Sequence, residues 1–104
     1  MNNILKIPTS FQLFGQTITV EWNKRLSDKG DMTGTAQYRE NLIQLQSNGE
    51  NCELPQTQLE AIFLHELIHW ILHSLQEKAL DDNEKLVELI AILLHQALKT
   101  AEYK

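Results

Sequence analysis

Two histidines four residues apart, with a glutamate directly after the first, occur at His65-Glu66-Leu67-Ile68-His69. On an α-helix a four-residue step turns about 40° past a full revolution and climbs about 6 Å, so both imidazoles leave the helix along nearly one line. They can converge on a single cation. Glu66 lies about 100° round from His65, beside such an ion but poorly placed to ligate it. That position suits a general base taking a proton from zinc-activated water as it attacks a polarised amide carbonyl. Chance would produce the pattern in about one chain in 70 of this His and Glu content. The surrounding Phe63, Leu64, Leu67, Ile68, Trp70, Ile71 and Leu72 argue against coincidence, because a helix buried by them leaves its polar groups in need of partners.

A hydrolytic zinc site takes a third protein ligand and keeps one open position. Glu88 is the preferred candidate. It interrupts the apolar stretch Leu86 to Leu94, where a buried carboxylate costs several kcal/mol unless a cation offsets it. Glu84 and His95 share its helix face, one turn before and two turns after, and compete for the role. His73 continues the four-residue series but sits about 80° from His65, which makes it a surface or supporting residue. Leu72 and Leu75 stand where a metzincin continuation requires Gly and His, so that subclass is excluded.

Two helices must carry these groups. Leu59, Ile62, Phe63, Leu67, Ile68, Ile71, Leu72 and Leu75 recur at helical spacing after Pro55, which predicts one long amphipathic helix. Asp81-Asp82-Asn83 can cap a second helix from about Glu84 to Ala101. Its middle is apolar nearly all round, so burial on most sides is expected, with Glu88 the exception. A connection around Gln76 to Asn83 returns the second helix antiparallel to the first, and Ala91 allows close approach.

The N-terminal half has a different period. Ile18, Val20 and Trp22 alternate with Thr17, Thr19 and Glu21 after a pivot near Gly15, which predicts a hairpin with Trp22 in the core alongside Trp70. A loop from Asn23 to Gly34 precedes short strands at about Thr35 to Arg39 and Asn41 to Gln46, the latter turning its Ile43 and Leu45 face to the core. The fold class is therefore α+β, a small mainly antiparallel sheet on two long antiparallel helices, in a single domain over residues 1–104.

Composition narrows the function. A net charge of −5 and a pI near 5.2, with no basic cluster, exclude a broad nucleic-acid surface. The longest apolar run, Leu89 to Leu94, is far short of the roughly 20 residues of a membrane span. The first residues show no secretion signal, so a cytoplasmic location is expected. Cys52 stands alone, which excludes an internal disulfide and a cysteine-rich zinc site. The ligands must be His and carboxylate.

The HExxH stretch followed by Glu88-Leu89-Ile90-Ala91 resembles the gluzincin pattern, HExxH plus a Glu-x-x-Ala helix. More narrowly, about Asn41 to Leu98 is similar to small ImmA/IrrE-type metallopeptidases of phages and mobile elements. The resemblance implies zinc held by His65, His69 and Glu88, with Glu66 as base and the strand Leu42 to Gln46 as the edge along which substrate lies. The chain departs from some gluzincins one turn after Glu88, where Ile92 replaces an Asp that orients a ligand histidine. Tyr38, His95 and Tyr103 are the candidates for polarising the substrate carbonyl. The expected activity is zinc-dependent peptide hydrolysis of a protein substrate. A zinc-stapled adaptor without turnover is the alternative, and a helix pair without metal the third reading.

Overall fold

The computed structural model describes residues 4–29, 32–48 and 53–104. Cys52 and the Gly49 turn lie outside them. Strands β1 (Ser10–Leu13) and β2 (Gln16–Asn23) form an antiparallel hairpin. Its two turn residues, Phe14 and Gly15, both take positive φ, 50° and 76°, the turn whose twist matches that of a two-residue hairpin. A 3-10 turn at Leu26–Lys29 leads on to β3 (Gly34–Gln37) and β4 (Leu42–Gln46). The sheet order is β1-β2-β4-β3; β4 pairs parallel with β2 and antiparallel with β3.

That order moves the edge expected at Leu42 to Gln46. Strand β4 is enclosed on both sides, and the open edges are β1 and β3, of which β3 is the one that lies more closely against α1. The reason is tertiary: β2 and β4 carry the inward-facing Ile18, Val20, Ile43 and Leu45, and pairing them places all four apolar side chains in the centre of one sheet face.

Helix α1 (Gln56–Ser74) lies between that face and α3 (Glu84–Thr100). Phe63, Leu64, Ile68, Trp70 and Leu72 are buried with the sheet residues and with Val87 and Ala91 of α3. The Trp70 indole N–H donates to the Leu42 carbonyl at 3.3 Å, so its buried polar atom is paired. Gln46, fully buried, holds the connection after β2 by accepting from Ser27 N at 2.6 Å and donating to the carbonyls of Lys24 and Ser47.

Helix α1 ends in a Schellman arrangement: Glu77 N–H donates to Leu72 O and Gln76 N–H to His73 O, with Gln76 at φ 59°. The reversal leads into a short helix, α2 (Lys78–Asp81), which the sequence pattern does not signal. Asn83 then caps α3, its side chain accepting from Leu86 N at 3.1 Å. The long helices run antiparallel, since Glu60 meets His95, His65 meets Glu88 and His69 meets Glu84.

Two expectations about burial are corrected. Helix α3 is not buried on most sides: only Val87 and Ala91 are buried, while Leu89, Ile92 and Leu93 face outward. Helix α1 is the main neighbour of α3 among the described residues, and one long neighbour covers one stripe. Trp22 is 48% exposed rather than in the core, because it lies beyond the inward pair Ile18 and Val20 toward the end of β2. Among the described residues no helix is long and apolar enough to cross a membrane.

Candidate metal centre

Helix α1 presents His65 and His69 one turn apart, with ring centroids 5.0 Å from each other. The N-terminal turn of α3 places Glu84 against both. Its Oε2 lies 3.1 Å from His65 Nε2 and its Oε1 3.0 Å from His69 Nε2. The other nitrogen of each ring also meets a carboxylate. His65 Nδ1 is 2.8 Å from Glu88 Oε2, and His69 Nδ1 is 2.6 Å from Asp81 Oδ1. Glu88 therefore approaches the site from behind the His65 ring, with its side chain 57% exposed rather than sunk in an apolar helix.

All four ring nitrogens thus face carboxylate oxygens. A neutral imidazole has one N–H, so two such rings can satisfy only two of the four contacts, leaving two lone pairs aimed at anionic oxygens. Added positive charge resolves this, as a proton on each ring or as one divalent cation. With each Nδ1–H donated to Glu88 or Asp81, both Nε2 lone pairs and the Glu84 carboxylate are left facing one point. One donor atom from each of His65, His69 and Glu84 lies within 4.8 Å of the others, a compact His-His-Glu set of the kind zinc takes. The donor set fits zinc.

Glu66 lies on the β3 side of the same cleft. It is buried, and Ala36 N–H donates to it. Burial pushes its carboxyl above the ordinary range; His65 and His69 pull it down, and Glu84 pushes it up. A raised value brings a carboxylate closer to the range of a working base. For His69, burial disfavours the imidazolium, but the Asp81 hydrogen bond and the charges of Glu84, Glu66 and Asp81 outweigh it and raise its value.

Glu66, His65 and Glu84 line a cleft of about 420 Å3 that runs past Gly34 and Ala36 to Tyr38. Gly34 makes the close approach of β3 possible: a Cβ there would stand 2.6 Å from Ile62 Cγ2 and 3.2 Å from Glu66 Oε2. Of the carbonyl-polarising candidates, Tyr38 donates its hydroxyl to Asp81, His95 is held by buried Glu60 at 2.9 Å, and Tyr103 is 84% exposed. His73 stacks on the Tyr38 ring, 3.8 Å between centroids, in a supporting position.

Sequence reasoning identified His65, Glu66 and His69, named Glu84 among the competitors, and gave Asp81 only a capping role. The available signal was symmetry. Two helices mirrored about the Gln76–Glu77 link set an i,i+4 pair of histidines opposite the i,i+4 pair Glu84 and Glu88. Neither Glu60 nor Gly34 carried a signal of its own.

No curated protein and no solved structure matches the chain. A family model matches residues 8–85, a span that contains His65, Glu66, His69, Asp81 and Glu84 and ends before Glu88. The chain belongs to the SprT-like family, a zinc-metallopeptidase-like family.

Proposed function

We propose that the chain is a zinc-dependent peptidase whose ion is held by His65 Nε2, His69 Nε2 and the Glu84 carboxylate, with Glu66 as the base. The observation that carries this reading is the pairing of every His65 and His69 nitrogen with a carboxylate oxygen, which only added positive charge satisfies. Glu84 takes the third place in this proposal, ahead of Glu88, because its oxygens face the two Nε2 atoms while Glu88 meets His65 Nδ1. Zinc bound there supplies Lewis acidity, lowering the pKa of water and polarising a carbonyl.

The protein's own residues supply the rest. Glu66, held by Ala36 N–H, takes a proton from water in the cleft and delivers it to the amide nitrogen as the peptide bond breaks. Strand β3, the open side of the sheet beside Glu66, offers backbone groups to an extended peptide segment. The substrate is accordingly a flexible stretch of a protein. The finer kinship with ImmA/IrrE-type proteins of phages and mobile elements rests on the HExxH plus Glu88-x-x-Ala91 pattern.

A second reading, a zinc-holding adaptor without turnover, is favoured by one observation: the hydroxyl of Tyr38 is committed to Asp81, and neither His95 nor Tyr103 lines the cleft. Glu66→Gln separates the two. Under the first reading it retains zinc and abolishes cleavage of an unfolded protein such as casein. Zinc binding with no cleavage even by the wild-type chain favours the adaptor.

A further inference from the structure

The connection between the long helices reaches back into the metal centre. Asp81, the last residue of α2, is largely buried, with its side chain only 11% exposed, and its Oδ1 accepts from His69 Nδ1 at 2.6 Å. The opposite partner of that carboxylate is Tyr38, just after β3, whose hydroxyl stands 3.0 Å from both Asp81 oxygens and 3.4 Å from the His69 carbonyl. The Tyr38 ring is itself fixed by α1. It packs edge-on against Trp70, 5.1 Å between centroids, and stacks flat on His73. The end of β3, α1 and α2 thus meet at one side chain.

We propose that Asp81 and Tyr38 form a positioning relay for His69: Tyr38 fixes the Asp81 carboxylate, Asp81 fixes the His69 tautomer and ring plane, and His69 Nε2 is left free to hold the cation. The inference rests on the metal-centre reading above and adds to it. It also assigns a role to Tyr38 different from carbonyl polarisation. A phenolic hydroxyl between two carboxylate oxygens is a donor to them. A carboxylate behind a ligand histidine raises its basicity and fixes its orientation, and its loss typically costs about 10–100-fold in metal affinity.

The test is Zn2+ affinity, read by competition with a chromophoric chelator on the full chain, for wild type, Asp81→Ala, Asp81→Asn, Tyr38→Phe and the double variant Asp81→Ala/Tyr38→Phe. The relay predicts a loss of about 10–100-fold for Asp81→Ala and a smaller loss for Asp81→Asn, which keeps an acceptor oxygen. Tyr38→Phe keeps the ring packing and should lose about threefold to tenfold, yet lose nothing more when Asp81 is already gone. Far-ultraviolet circular dichroism of each metal-free variant checks the fold, and Asp81→Asn carries the test if Asp81→Ala does not fold. Equal zinc affinity in wild type, Asp81→Asn and Tyr38→Phe would overturn the relay while leaving the metal centre standing. Additive losses in the double variant would overturn the claim that Tyr38 acts through Asp81. Absence of zinc binding by the wild-type chain would remove the relay and the metal centre together.

Discussion

Gly34 lies against Glu66 so closely that a Cβ on the strand residue would stand 3.2 Å from both Cγ and Oε2 of the glutamate. The same Cβ would meet Ile62 Cγ2 at 2.6 Å, a distance that forces either the strand or the helix to move. Gly34→Ala should therefore destabilise the chain by about 1–3 kcal/mol, measured by urea unfolding. It should also displace Glu66 and lower peptide hydrolysis while His65, His69 and Glu84 still bind zinc. Unchanged stability would show that β3 does not approach α1 this closely.

Burial outweighs the pull of His65 and His69 on the Glu66 carboxyl, and its raised pKa means that ionising it weakens the metal-free fold. The sign follows from linkage: a carboxylate held above its unfolded value of 4.5 costs stability as pH rises through the interval between the two values, and that cost persists at neutral pH. Glu66→Gln should make the metal-free chain as stable as wild type or more stable at pH 7, with the difference shrinking below pH 4.5. Thermal unfolding across that range checks it.

Glu60 presents the opposite case. Burial pushes its carboxyl up, but hydrogen bonds from His95, Lys99, Gln56 and the Leu5 backbone outweigh this and hold it below 4.5. Its contribution is therefore complete above pH 4.5 and is lost as pH falls through the folded-state value. Glu60→Ala should cost about 3 kcal/mol at pH 7, since it removes the buried carboxylate that ties the half-buried His95 and Lys99 of α3 to the segment entering β1. The same variant should show a flatter fall in stability below pH 4.5 than wild type in acid titrations of unfolding.

Gln76 holds the left-handed position that closes α1, where a side chain is strained and glycine is not. Gln76→Gly should stabilise the chain by about 0.5–1 kcal/mol in urea unfolding, with α2 and Asp81 left in place. A destabilised variant would contradict the Schellman geometry.

Local features were the legible part of this fold. The Phe14-Gly15 hairpin, the length of α1, the Asn83 cap and the inward face of Ile43 and Leu45 are each decided by residues a few positions apart, so pattern alone reaches them. Strand order was not legible, because pairing β2 with β4 depends on a core assembled from distant segments, and this puts Leu42–Gln46 inside the sheet and leaves Ser10–Leu13 and Gly34–Gln37 as its edges. The outward Leu89 and Leu93 were misread because apolar composition states what can be buried, and only the number of neighbouring elements states what is. At the site, the HExxH spacing pointed to His65, Glu66 and His69, which α1 does bring to one cleft. Distinguishing Glu84 from Glu88 required the register between two helices, and Asp81 required a short helix that the pattern does not mark.

The most direct measurement of the central claim is the zinc stoichiometry and affinity of the full chain beside those of Glu84→Ala and Glu88→Ala. The account predicts one Zn2+ per chain for wild type, a loss of at least about 100-fold for Glu84→Ala as a removed ligand, and a smaller loss of about 10-fold for Glu88→Ala as a group behind His65. A wild-type chain that binds no zinc, or one whose affinity survives Glu84→Ala intact, would contradict it.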